Sequence, residues 1–158
     1  MILYVDADAC PVKEEVVRVA DRHALAVAFV SNAYMRLPEG RDVQRVIVGD
    51  GSDAADDWIA EAVTSADIVV TQDILLADRV LKAGAQAIGP TGKAFDATNI
   101  GLALAVRDIR QHLRETGEGG SHNPQFTKRD RSRFLEALEH AVQKAKRGRA
   151  NRSEGGVR

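Results

Sequence analysis

The chain has 158 residues, with 22 Lys+Arg against 23 Asp+Glu, 44% hydrophobic residues and one cysteine. That is enough for one compact domain with its own core, and it excludes a disulfide framework or a four-cysteine zinc site. Aromatic residues make up only 4%, which argues against an aromatic stacking platform for single-stranded nucleic acid.

Ile2-Leu3-Tyr4-Val5 is a short apolar run of β-formers and predicts a buried strand that ends on Asp6. Pro11 sits where a helix would begin, and Val12, Val16, Val17 and Ala20 give that helix one apolar face. Ala26 to Val30 predicts a second strand, and Pro38-Glu39-Gly40 a turn. Val43 to Val48 predicts a third strand, stopped by Gly49-Asp50-Gly51. Ser52 or Asp53 caps a helix to about Thr64, with Trp58, Ile59, Ala62 and Val63 inward. Ile68 to Thr71 predicts a fourth strand, Ile74 to Ala83 a helix ended by Gly84, and Ala85 to Ile88 a fifth strand.

Beyond Ile88 the character changes. Gly89 to Lys93 reads as a loop and Thr98 to about Leu113 as a helix. Residues 114–125, rich in Gly from Thr116 on, read as a flexible linker. Residues 126–147 hold an amphipathic helix from about Arg131 to Lys146, whose Phe134, Leu135, Leu138 and Val142 should pack on the domain. Residues 148–158 read as a disordered basic tail. Short apolar strands alternating with helices predict an α/β fold over residues 1–113: a three-layer α/β/α sandwich around a mostly parallel sheet of about five strands.

No apolar run approaches the ~18 residues of a membrane span, and the opening strand runs straight into Asp6, unlike a signal peptide. The expectation is a bacterial-type cytoplasmic protein with no membrane contact. Charge is divided along the chain. Residues 1–106 carry 9 Lys+Arg and 16 Asp+Glu, a net of −7, and residues 107–158 carry 13 and 7, a net of +6. An acidic body with a basic tail points to cation chemistry in one part and polyanion contact in the other.

In an open parallel sheet, ligands bind beyond the carboxyl ends of the strands. The acids gather there: Asp6 and Asp8 after the first strand, Asp50 after the third, Asp53, Asp56 and Asp57 at the mouth of the next helix, and Asp73 after the fourth. Asp53 and Asp57, four apart, share a helix face. Clustered carboxylates repel one another unless a cation intervenes. All-oxygen ligands without His or Cys suit Mg²⁺ or Mn²⁺, ions that serve phosphodiester chemistry. Simpler roles compete: Asp73 and Asp8 as helix caps, Asp53 and Asp56 as partners of a helix dipole. Cys10 reads as a buried structural thiol, and His23, His112, His122 and His140 as surface groups. Gly89-Pro90-Thr91-Gly92-Lys93 reads as a turn before it reads as a phosphate cradle, and it does not match a P-loop.

The stretches Tyr4-Val5-Asp6-Ala7-Asp8-Ala9-Cys10-Pro11-Val12-Lys13, Gly49-Asp50-Gly51-Ser52-Asp53-Ala54-Ala55-Asp56-Asp57-Trp58-Ile59, Thr71-Gln72-Asp73-Ile74-Leu75-Leu76-Ala77 and Gly89-Pro90-Thr91-Gly92 resemble the signatures of the bacterial YaiI/YqxD family over residues 1–147. That family in turn resembles PIN-like (NYN-related) nuclease domains. The resemblance implies a PIN-like fold and Mg²⁺- or Mn²⁺-dependent cleavage of RNA or DNA, with RNA the favoured substrate. Asp6, Asp53, Asp57 and Asp73 would be the catalytic, metal-holding residues. Asp8, Asp56, Asn32 and Thr71 would orient them from behind. Lys13, Lys93, Lys128, Arg129, Arg131 and Arg133 would contact the nucleic-acid backbone. Where NYN domains often carry a second acid, two residues past Asp73, this chain has Leu75. Two other readings stand beside this one: a non-catalytic RNA-binding protein, and a haloacid-dehalogenase-like phosphatase with Asp6 as nucleophile and Asp8 as general acid. The latter family needs a Lys between its second and fourth motifs, and residues 31–49 contain none.

Overall fold

The computed structural model describes residues 1–51, 53–117 and 125–156, with side chains to residue 150. The strands are β1 (Ile2–Asp6), β2 (Ala26–Ser31), β3 (Val43–Ile47), β4 (Ile68–Val70), β5 (Gln86–Ile88) and β6 (Ala94–Phe95). The helices are α1 (Lys13–His23), α2 (Ala54–Ala62), α3 (Ile74–Lys82), α4 (Ile100–Glu115) and α5 (Lys128–Gly156). The strands form one sheet in the order β3-β2-β1-β4-β5-β6. β1 to β5 pair in parallel, and β6 runs antiparallel to β5.

Strand residues alternate between two cores because successive side chains point to opposite faces. Leu3, Val5, Val27, Phe29, Ile68 and Val70 pack under α1 and α5 with Val16, Phe134, Leu138 and Val142. Tyr4, Ala28, Val30 and Val69 pack under α2 and α3 with Ile59, Leu76 and Val80, and Ile100 and Ala103 bring the start of α4 to the same side. Both faces are covered, so the central strands are apolar throughout. Asp67, buried at the amino end of β4, is structural: it accepts hydrogen bonds from Ile2 N and from the Thr64 backbone N–H and hydroxyl.

Two elements differ from the sequence expectation. The sheet has six strands, since Ala94–Phe95 closes a small hairpin on β5. Two residues are too few for a periodic signal, and the pairing is set by the turn, in which Gly89 N bonds Lys93 O and Gly92 N bonds Gly89 O. The last helix begins at Lys128 and continues to Gly156, through residues expected to be disordered. Its amino-terminal half is anchored by buried Phe134, Leu138 and Val142, and adding residues to a nucleated helix is far easier than starting one. Most of the proposed linker, residues 118–124 including His122, lies outside the described residues, as do residues 157 and 158. Among the described residues, no helix is long and apolar enough to cross a membrane.

Candidate functional site

The strand order reverses between β1 and β4: the chain leaves β1 toward β2 on one side and returns to β4 on the other. Such a switch point opens a crevice at the carboxyl ends of the two strands. Asp6 ends β1 there, beside Thr71, the residue after β4. The buried Thr71 hydroxyl donates to Asp6 Oδ2 at 3.0 Å and accepts from Asp73 N at 3.0 Å. One threonine thus fixes two acids from two segments. Asp73 is the N-cap of α3, its Oδ1 accepting from Leu75 N and Leu76 N, and its carboxyl also shares a hydrogen bond with Asp56. The capping role and the site role coincide in one side chain.

Asp56 reaches this point from the first turn of α2. Burial, the hydrogen bond to Asp73 and the charges of Asp73, Asp6 and Asp53 push its carboxyl up to about 7. Burial also raises Asp6, helped by Asp73 and Asp8 and opposed by the Thr71 hydrogen bond. Asp8 stands exposed at the rim, and Asp53 and Asp50 are exposed on the loop into α2. Asn32 governs that loop, its side-chain amide donating to Gly49 O and Gly51 O at 3.0 Å each.

The expected ligand set of Asp6, Asp53, Asp57 and Asp73 is therefore not the set that meets. Asp57 turns away and pairs with Arg79 on α3 at 2.7 Å, more than half exposed. The cause is helical phase. Ala55 and Ile59 are the buried face of α2. Asp56 flanks that face, and Asp57 falls a further 100° round, toward solvent. Asp53 precedes the helix, so the four-residue spacing to Asp57 does not put them on one face. The meeting carboxyls, Asp6, Asp56 and Asp73, are all hard oxygen donors of the kind Mg²⁺ and Mn²⁺ take. The raised protonation of Asp6 and Asp56, to which burial and neighbouring acids both contribute, marks a repulsion that a cation would relieve. Among the described residues, no three His, Cys, Asp or Glu side chains are spaced to hold a metal ion as they stand.

The acids form one wall of a cavity of about 640 Å³. Asp6, Asp8, Thr71 and Asp73 line it on the sheet side; Lys93 borders it; and Leu102, Val106, Arg107, Arg110 and Arg114 of α4 form the opposite wall. The arginines of α4 were missed in the sequence. The available signal was that positions 107, 110 and 114 continue the helix face that buries Ile100 and Ala103. Cys10 also lines the cavity; it is buried, and burial raises its thiol above the usual range, which keeps it protonated and inert.

The basic residues expected to touch nucleic acid have mixed fates. Arg131 clamps α5 to α1, donating to Pro11 O at 2.8 Å and to Glu15 Oε1 at 3.0 Å. Lys13 donates to Cys10 O at 2.8 Å. Lys93 lies over the Phe95 ring and links the main cavity to a neighbouring groove that holds Arg133. Lys128 and Arg129 are exposed at the start of α5.

A family model described as the uncharacterised YaiI/YqxD family matches residues 4–144. A UPF0178 protein of Rhizobium meliloti (strain 1021) is 55% identical over 92% of this chain and 100% of its own length. A UPF0178 protein of Sphingopyxis alaskensis is 55% identical over 94% of this chain and 97% of its own. One from Agrobacterium fabrum is 52% identical over 92% and 95%. No solved structure matches the chain.

Proposed function

The chain belongs to the YaiI/YqxD family, and we propose that it is a PIN-like nuclease that hydrolyses phosphodiester bonds in RNA with Mg²⁺ or Mn²⁺ as cofactor. The observation that carries this reading is a chain of contacts at the switch point of a parallel sheet, in which Thr71 bonds both Asp6 and the backbone of Asp73 and the Asp73 carboxyl bonds Asp56. A structural role would satisfy each acid separately, as it does for Asp67. Here burial and the neighbouring acids raise the proton affinity of Asp6 and Asp56, an arrangement that costs stability near neutral pH and points to a cationic ligand.

Asp6, Asp56 and Asp73 would hold the ion, and Asp53 and Asp8 would bind its water from the rim. The ion would supply an activated water and neutralise charge on the phosphate. Thr71 keeps Asp6 oriented by donating its hydroxyl proton. Asp56 would release its proton when the ion is taken up. Asn32 holds the loop that delivers Asp53 and Asp56. Lys93 and the α4 arginines face the acids across the cavity and would neutralise the substrate's phosphates.

The test is incubation of a labelled RNA with purified protein in Mn²⁺. The reading expects cleavage that a chelator and Asp6→Asn both abolish. Binding of RNA that survives both, with no cleavage by the wild type, would select the binding-only reading. Turnover of small phosphomonoesters with a phosphorylated Asp6 would select haloacid-dehalogenase-like chemistry instead.

A further inference from the structure

We infer that α4 is the substrate-gripping element: Arg107, Arg110 and Arg114 bind successive phosphates of a single-stranded nucleic acid, while Leu102 and Val106 lie against its bases. The inference rests on the proposed nuclease site only for where the strand is cut; the binding itself stands on α4.

The start of α4 is rigidly placed. Asp96 Oδ1 accepts from Thr98 N and Asn99 N, Asn99 Oδ1 accepts from Asp96 N, and Asn99 Nδ2 donates to Ala94 O. Ile100 and Ala103 then pack on the body, and past Ala103 no residue of α4 is buried. The side of the helix that met the body with Ile100 and Ala103 carries Arg107, Arg110 and Arg114 in the following turns, because positions three, four and seven apart share a face. That side now overhangs the cavity. Arg107 touches only Gln111 and, at 3.9 Å, Asp108, its own helix neighbours. Arg110 and Arg114 have no ion-pair or hydrogen-bond partner among the described residues. Three arginines that line the cavity and form no ion pair with its acids among the described residues leave room there for a polyanion.

The neighbouring stripe of α4 decides which polyanion. Leu102 is 71% exposed and Val106 37% exposed, and both line the same cavity as the arginines. A duplex hides its bases and offers phosphates and sugars, which leaves these side chains wet. A single strand offers base faces beside its phosphates. Among the described residues no aromatic side chain lines this cavity, so affinity rests mainly on charge and is tolerant of base sequence and sensitive to salt.

The experiment is fluorescence anisotropy with a short fluorescein-labelled oligouridylate, alone and annealed to oligoadenylate, using the full chain in EDTA so that no metal-dependent cleavage intervenes. The single strand should bind more tightly than the duplex. Arg110→Ala with Arg114→Ala should weaken binding roughly tenfold and flatten the log–log salt slope by about 1.4, the share of two phosphates at ~0.7 each. Leu102→Ser with Val106→Ser should weaken single-strand binding and leave the salt slope unchanged. These positions are exposed, and circular dichroism confirms that the variants fold. Unchanged affinity and slope in the arginine variant, or a larger loss from Arg129→Ala with Arg133→Ala on α5, would overturn the inference. So would a change from dimer to monomer on ultracentrifugation of the leucine–valine variant with RNA binding intact, which would make that stripe a contact between copies of the chain. Loss of binding in the arginine variant beside a wild type that never cleaves RNA would keep the grip and remove the nuclease reading. Intact binding in that variant beside normal cleavage would do the reverse.

Discussion

Asp56 and Asp57 are adjacent in sequence and opposite in role. Asp57 is a surface partner of Arg79, and an exposed pair of this kind contributes about 0–1 kcal/mol. Asp57→Asn should therefore change stability by less than ~1 kcal/mol in chemical denaturation. Asp56 titrates near neutral pH, its carboxyl raised to about 7 by burial and by its acidic neighbours. Its folded proton affinity exceeds that of the unfolded chain, whose aspartates titrate near ~3.9. The stability it contributes is therefore fully present below about pH 4 and is lost as pH rises through about 7. The melting temperature of the metal-free protein should fall across that window, and Asp56→Asn, neutral at every pH, should flatten the fall. A wild-type profile that rises from pH 4 to 7 and is unaffected by Asp56→Asn would contradict the placement of Asp56.

At the scale of elements, the loop from Gly89 to Lys93 and helix α5 lock together. Gly92 has φ +92°, and a Cβ there would lie 2.7 Å from the backbone C and O of Arg133. Gly92→Ala meets both the left-handed backbone and the contact, so it should destabilise by more than ~1 kcal/mol. Phe134, fully buried where α5 meets the sheet and α1, should cost about 3–5 kcal/mol when replaced by Ala. Denaturant titration measures both, and a loss below ~1 kcal/mol for Phe134→Ala would mean that α5 is not part of the core. The same elements explain what the sequence conveyed. β1, β2 and β4 are runs of β-formers covered on both sides, so their existence and parallel pairing were legible from apolar length alone. β6 has two residues and no period to read. The reach of α5 was hidden because its last turns have no apolar face and depend on a helix nucleated elsewhere. The edge of the sheet that gathers the acids followed from strand polarity. Which acid of α2 turns inward did not, because it depends on where the helix begins: Asp53 lies outside it, and one residue of phase exchanges Asp57 for Asp56.

Across the whole molecule, the division of charge along the chain becomes a division across a cavity. Asp6, Asp8 and Asp73 line one cavity together with arginines from α4. The net charge of −1 conceals this gathering of acidic and basic residues around one cavity. The acidic wall is cationic only with an ion bound, and under the proposed function Asp6, Asp56 and Asp73 hold that ion. Isothermal titration of the metal-free protein with Mn²⁺ near neutral pH tests it most directly, with Asp6→Asn, Asp56→Asn and Asp57→Asn titrated alongside. Saturable binding to the wild type with proton release, its loss in Asp6→Asn and Asp56→Asn, and its retention in Asp57→Asn are expected. No saturable binding to the wild type, or loss in Asp57→Asn with retention in Asp56→Asn, would contradict that assignment.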